Sequence, residues 1–327
     1  MARRHLATAA ALSAVCAFAP LFAADYQAPR LPWGDPDLSG TWTSEAELTV
    51  PFERPAEFGT RQWLTDPEFE QRLTRTATQL ESDNAEFTVD NADITNAGAV
   101  GSATSPPPHW LERRETSRRT SLVIDPPDGR IPPMTAEGRQ RLASSGGGGN
   151  GPYDGPEEMS LWVRCIARGL PSVTFPTVYN ANTRIVQGPG YVALTYEMIH
   201  DTRVIPIGPV GPAGSRAHLG SSMRQYLGDS QAHWDGETLV VDAANFTNKL
   251  PYRGSSEALH LTERFRRIDK DTVRYEVTVD DPRTWTAPWT AALDLRRQRA
   301  GLFEYACHEG NYAMQNILKG SRAADKK

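Results

Sequence analysis

The sequence predicts a mainly β protein whose C-terminal half is an antiparallel meander, with helices and long loops kept to the N-terminal half. Two observations carry this. From residue 181 onward, runs rich in β-branched and aromatic residues recur in pairs, each pair joined by a short polar or glycine-containing turn. The chain also holds 26 glycines and 25 prolines, a supply suited to turns and poor for helices.

The elements follow in order. Arg3 and Arg4 make the first five residues basic, 6–22 is small and apolar, and Ala23-Ala24 offers a cleavage site. Residues 1–24 are therefore expected to be a secretory signal peptide. Twin arginines leave both general and twin-arginine export open. Ser13-Ala14-Val15 before Cys16 is a poor lipid-anchor signal. No other stretch approaches the about 18 apolar residues of a spanning helix, so no membrane span is expected. Cleavage leaves about 300 residues, enough for one large β domain or two.

Residues 25–151 read as a segment of strand, helix and loop that packs on the barrel. Residues 38–43 form a first strand. Thr65 or Asp66 caps a helix with Pro67 in its first turn, running to about Leu80. Residues 81–109 are a polar excursion containing Pro106-Pro107-Pro108. Residues 120–125 are a short strand, 126–129 a turn, and 135–142 a helix capped by Thr135. Residues 144–151 (SSGGGGNG) are a flexible loop tip.

Residues 152–320 hold the meander, and 321–327 a tail. Strand 181–187 meets 191–199 across Gly188-Pro189-Gly190, and 202–207 follows. After a Gly/Pro loop over 208–220, the run GDSQAHWDGETLVVDAANF at 228–246 makes a hairpin about Asp235-Gly236. Strand 259–268 pairs with 272–279, and 285–296 and 303–307 complete the set. Such spacing specifies an antiparallel barrel or sandwich. No internal repeat is evident, and no pattern sets an oligomeric state. Gly40 and Trp42 form the GxW found near the start of lipocalin-type barrels, so the architecture is expected to be a calycin- or lipocalin-like barrel.

Composition excludes some functions. The formal net charge of −5 gives no basic surface for nucleic acid. Of three cysteines, Cys165 and Cys307 survive cleavage. In an oxidising compartment a disulfide between them is expected, worth roughly 4–5 kcal/mol in the chain-entropy model; two buried thiols are the alternative.

Standard catalytic motifs are missing. There is no G-x-S-x-G elbow. Gly228-Asp229-Ser230 resembles the opening of a GDS esterase signature but lacks a following D-x-x-H block; a side-chain-capped turn is the commoner origin of such a run. His109, His200, His218, His233, His260 and His308 show no standard metal-ligand spacing, so no metal and no cofactor is expected. Period-2 alternation divides the strands into faces. Val192, Leu194, Tyr196, Met198 and His200 share one face, with Thr195 and Glu197 opposite. Leu261, Glu263 and Phe265 share a face, with His260, Thr262 and Arg264 opposite, and Val273, Tyr275, Val277 and Val279 share another. The bland reading gives the polar set to solvent. The sharper reading makes a barrel interior lined by His, Arg, Glu and Tyr, where a carboxylate amid apolar residues is costly unless paired or put to use. Trp234, Trp285 and Trp289 would wall a cavity or fill the core.

The phrases SLVIDPPDGRIPP (121–133), RCIARGLP (164–171), YEMIHDTRVIP (196–206), RGSSEALHLTERF (253–265), YEVTVDDPRTWTAPWT (275–290) and CHEGN (307–311) are shared in kind with other proteins. Over roughly residues 30–320 the chain resembles a large, mostly uncharacterised family of secreted bacterial proteins. Gln231-Ala232 departs from the Arg-Gly expected there. The resemblance implies no activity and transfers no catalytic residue.

The functional expectation is a periplasmic or secreted enzyme acting on a small cyclic or aromatic molecule by acid–base chemistry of isomerase, lyase or hydratase type. Its catalytic groups would be drawn from Glu197, His200, His233, His260 and Glu263. Tyr179, Asn180, Arg203, Asp229, Trp234, Arg264 and His308 would bind substrate, with Arg203 or Arg264 as anion clamp. The alternatives are a small-molecule binding protein without catalysis, or an envelope interaction protein whose loops at 81–109 and 144–151 meet a partner.

Overall fold

A computed structural model describes residues 26–85, 116–144, 153–208, 218–309 and 311–324. The expected signal peptide lies outside these residues, as do most of the 81–109 and 144–151 loops.

Ten strands make one sheet: β1 (Gly40–Thr43), β2 (Val123–Asp125), β3 (Asn182–Gly188), β4 (Tyr191–Tyr196), β5 (Thr202–Pro206), β6 (Asp229–Asp235), β7 (Thr238–Ala244), β8 (His260–Asp269), β9 (Thr272–Asp280) and β10 (Trp289–Arg297). The order is β5-β4-β3-β1-β10-β9-β8-β7-β6, with β2 paired onto β10. Two antiparallel meanders, β3–β5 and β6–β10, are thus joined by β1, which pairs with β3 on one side and β10 on the other. The N-terminal segment therefore supplies a strand of the barrel as well as packing on it. The outer edges, β5 and β6, approach again through a parallel bridge, Ile207 to Ala232, with Gly208 N donating to Ala232 O at 2.9 Å. The sheet is a nearly closed, mostly antiparallel barrel.

Alternation decides what fills it. Leu239, Val241 and Ala243 of β7, Leu261 and Phe265 of β8, and Val273, Tyr275, Val277 and Val279 of β9 are all essentially inaccessible. They register across the ladders, Leu239 beside Phe265 and Phe265 beside Tyr275, so each ladder pair presents apolar side chains to one interior. An aromatic group of Phe52, Phe175, Tyr252, Trp285 and Trp289 packs in the same core, with adjacent ring centroids 5.1–6.5 Å apart. Trp285 and Trp289 are thereby core residues.

Helix α1 (Asp66–Ala85) extends five residues beyond the expected end, and α2 (Ala136–Ser144) is capped by Thr135, whose hydroxyl accepts from Gly138 N at 2.9 Å. A third helix, α3 (Tyr312–Ala324), replaces meander and tail at the C-terminus. Other expectations are corrected. Strand β4 stops at Tyr196, because Ile199 (φ 65°) and His200 (φ 50°) turn left-handed in a short 3-10 turn. Strand β10 begins at Trp289 rather than residue 285, since Asp281 caps the preceding turn by accepting from Thr284 Oγ1 at 2.6 Å and Arg283 N at 3.1 Å. Residues 303–307 form no strand; Phe303 N donates to the Glu197 side chain at 2.7 Å instead of to a ladder. The central hairpin turns on Gly236-Glu237, one residue later than expected, because Asp235 already pairs with Thr238. Gly236 has φ 58°, the glycine-first pattern of a type II′ turn.

Cys165 and Cys307 form the expected disulfide, with Cα atoms 5.8 Å apart and a sequence separation of 142. It anchors the strap that follows β10 to the segment preceding β3. Closing so long a loop limits the unfolded chain by about 5 kcal/mol at most. Cys165→Ser/Cys307→Ser is expected to lower unfolding stability by about 2–5 kcal/mol in urea titrations. A stability equal to wild type would show the bridge to be energetically idle.

Candidate functional site

The barrel interior contains an ion pair. Arg203 on β5 and Glu263 on β8 both alternate inward, at 5% and 0% exposure. Arg203 Nη1 donates to Glu263 Oε2 at 2.7 Å, and the Tyr275 hydroxyl donates to Glu263 Oε1 at 3.0 Å. Both carboxylate oxygens are committed. Burial works against the Arg203 charge, but Glu263 and the neighbouring Tyr196 and Tyr275 outweigh it and raise the guanidinium pKa. Burial pushes Tyr196 up to about 12, with Arg203 opposing and Glu263 adding to the rise, and burial and Glu263 hold Tyr275 well above its ordinary value. Both phenols are neutral hydrogen-bonding groups, not bases.

The pair meets a cleft. Between the Ile207–Ala232 bridge and the start of β6, the β5 and β6 edges diverge and leave a half-open space of about 540 Å³. Ile166, Ala167, Asp201, residues 202–204, Pro206 and residues 225–231 line it. Arg203 is in that wall. Its Nε and Nη2, together with Ser230 Oγ and Trp234 Nε1, are buried without a hydrogen-bond partner among the described residues. Of these residues, Arg203 and Ser230 line the cleft, and buried polar atoms without partners are costly.

The outer face of β6–β8 carries a separate array. His260 Nε2 lies 2.7 Å from Asp242 Oδ2, His218 Nε2 2.6 Å from Asp242 Oδ1, and His218 Nδ1 3.0 Å from Asp229 Oδ2. Asp229 also accepts from Leu219 N at 2.6 Å. The Asp242 bond raises the His260 pKa, with burial opposing. Burial acts to raise Asp242, but His260 and His218 outweigh it and hold the carboxyl below its ordinary value. Ser230 points inward, opposite Ala243, while Asp229 and its histidine lie outside, so the GDS run assembles no Ser-His-Asp relay. His233 and Arg264 share this outer face, cross-registered with Val240, and the Arg264 head is exposed.

Glu197 sits elsewhere. It is buried, accepting from Asn182 Nδ2 at 2.6 Å and Phe303 N at 2.7 Å, and so staples the C-terminal strap to the barrel. His200 and His308 are exposed and line a second, smaller space of about 390 Å³ beside that strap. Tyr179 is half-buried with its pKa pushed up to about 12 by burial and by Tyr305, and Asn180 is a left-handed turn residue with φ 51°. Of the residues picked out from sequence, Arg203 and Glu263 come into direct contact, Asp229 lies at the cleft and Trp234 turns inward on the same strand. His233, His260 and Arg264 gather on the outer wall, and Glu197, His200 and His308 beside the strap. Sequence reasoning passed over Tyr196 and Tyr275 as site residues and His218 as a partner of Asp229. Alternation signalled the first two, and nothing local signalled His218.

No family model matches the chain, and no curated protein does. Among solved structures, a point mutant of the fluorescent protein UnaG aligns at 14% identity with a TM-score of 0.24, over 42% of this chain and 86% of that one. At that level the barrel assignment rests on this chain's own strand order.

Two predictions follow from these contacts. Glu263→Ala strands a buried guanidinium and is expected to cost about 3–5 kcal/mol in urea unfolding, whereas Arg203→Met/Glu263→Leu regains most of it; equal losses in both would discount the pairing. On the outer face, the raised His260 pKa means its contribution is complete below the ordinary histidine value and lost as pH rises through the folded one. The depressed Asp242 pKa means its contribution is present above the ordinary carboxylate value and lost as pH falls through the folded one. Asp242→Asn should therefore lower the melting temperature most near pH 6 and little at pH 9. Half-exposure keeps the effect small, and a pH-independent difference would refute the linkage.

Proposed function

We propose that the protein is a secreted or periplasmic barrel of the resembling bacterial family and binds a small organic molecule at the β5–β6 seam. One observation carries this reading: Arg203, buried in the wall of the cleft, uses Nη1 on Glu263 and has Nε and Nη2 unpaired among the described residues. The cleft falls in the usual size range for ligand sites, about 300–1,000 Å³. The disulfide supports export alongside the leader pattern.

The acid–base enzyme expected from sequence needs a proton acceptor and donor facing one substrate. Glu263 has both oxygens engaged, and His233 and His260 lie outside the barrel. Binding without proton transfer is the reading these residues support best.

Ligand-observed NMR with a library of small cyclic and aromatic compounds tests it. Binders are expected whose signals recover when Ser230→Phe fills the cleft. A library with no binders, or binders indifferent to that substitution, would remove the seam as a site.

A further inference from the structure

We infer that His218 is a pH-operated clasp. Its imidazolium form ties the loop that leads into β6 to both β6 and β7, and its neutral form releases one side of that tie. The clasp lies on the outer face of the barrel and does not depend on the seam being a binding site.

The ring of His218 is held between two carboxylates from different strands. Nδ1 is 3.0 Å from Asp229 Oδ2 at the start of β6, and Nε2 is 2.6 Å from Asp242 Oδ1 on β7. The next residue is tied beside it. Leu219 N donates to Asp229 Oδ2 at 2.6 Å, and Asn245 Nδ2, just past β7, donates to Leu219 O at 2.8 Å. Residues 218 and 219 are thus stitched to the ends of β6 and β7, and the imidazole supplies both side-chain bonds that His218 makes.

Protons decide whether both bonds can exist. An ionised carboxylate only accepts, whereas a neutral imidazole donates from one nitrogen and accepts at the other. Asp229 Oδ2 already receives the Leu219 amide, so it is an acceptor. Asp242 divides its oxygens, Oδ1 to His218 and Oδ2 to His260 Nε2 at 2.7 Å. Burial acts to raise the Asp242 carboxyl, but these two histidines outweigh it and hold the group below its ordinary value. Facing two acceptors, His218 fills both bonds only as imidazolium. When it loses a proton, a ring lone pair meets a carboxylate oxygen, and that side of the clasp parts.

The neighbouring charges sharpen the change. His260 on β8 stands across Asp242, and Asp280 on β9 is registered with His260. Protonation of both histidines balances Asp229 and Asp242. Among the described residues no other cation bonds these two carboxylates, so deprotonation leaves them unopposed. Arg224, further along the loop, is engaged by Glu257 instead. The release also has an end. Gln225 N donates to Asn245 O and Thr247 N to Gln225 O, each at 3.0 Å, and Arg224 Nη1 donates to Phe246 O at 3.2 Å. None of these bonds involves a histidine. Opening is therefore confined to residues 218–223, and the cleft wall from Gln225 onward keeps its hold.

Two NMR measurements on the full chain test the clasp, at about pH 5.5 and about pH 8.5, on either side of the ordinary histidine value. Ring ¹⁵N signals of His218 are expected to show both nitrogens protonated at the lower pH and one at the higher. Amide hydrogen exchange, each rate divided by its intrinsic rate at that pH, should show Leu219 losing about tenfold in protection as pH rises, the loss of one charge-assisted bond. Gln225 and Thr247 should change less than about twofold, since local opening stops short of them. His218→Gln, whose single amide nitrogen cannot span both carboxylates, should leave Leu219 poorly protected at both pH values. His260→Gln should keep the step. A neutral His218 ring at the lower pH, or Leu219 protection that ignores pH in the wild type, would overturn the clasp. So would a step that survives His218→Gln or disappears with His260→Gln, since the switch would then belong to another group.

Discussion

Arg203 and Glu263 meet inside a barrel that is otherwise closed by hydrocarbon. The contact spans the molecule's main division, since β5 belongs to the first meander and β8 to the second. Isosteric apolar residues would hold the two halves together at least as well, because desolvating two charges offsets most of their attraction. What the pair provides is position. Glu263, itself fixed by Tyr275, holds one end of the guanidinium inside the barrel.

The barrel is closed by different means on its two sides. On one, β1 pairs along its length with β3 and through Trp42 and Thr43 with β10. On the other, β5 and β6 share a parallel bridge and then diverge. A closed sheet has no free edge, and a gap in one is where a ligand can reach the interior. The disulfide and Glu197 bind the C-terminal strap near the end of β4, and Ile166, next to Cys165, already lines the opening. The opening falls where ladder pairing lapses.

Several of the sequence phrases prove to be joints. Asp281 of VDDPRTW accepts from Ser256 N at 2.6 Å and Ser256 Oγ at 2.9 Å, linking that phrase to RGSSEALHL. Arg54 is buried, and its Nη1 donates to Pro127 O at 2.5 Å within the turn of SLVIDPPDGRIPP. In YEMIHDTRVIP, Asp201 O accepts from Tyr196 N at 2.9 Å to close the turn that leads Arg203 inward. Particular residues of these phrases thus satisfy polar groups that would otherwise be buried without partners.

Much of the fold was legible because strand alternation is a local property. A period of two separates Glu263 from His260 and Arg264, and Tyr275 from Arg274, without reference to any other strand. Paired runs gave the hairpins, and a leader pattern with two remaining cysteines gave the disulfide. Errors came at element boundaries: Asp281 capping the local turn before β10, left-handed Ile199 and His200 ending β4, and Glu197, distant in sequence, taking Phe303 out of the sheet. Within the strands themselves, the sequence alone separated one face from the other. Only the tertiary structure decided which inward faces meet, because Arg203 and Glu263 stand 60 residues apart and are brought together by the curvature of the closed sheet. The same holds for the cleft, since a gap between two strand edges has no signature within either strand.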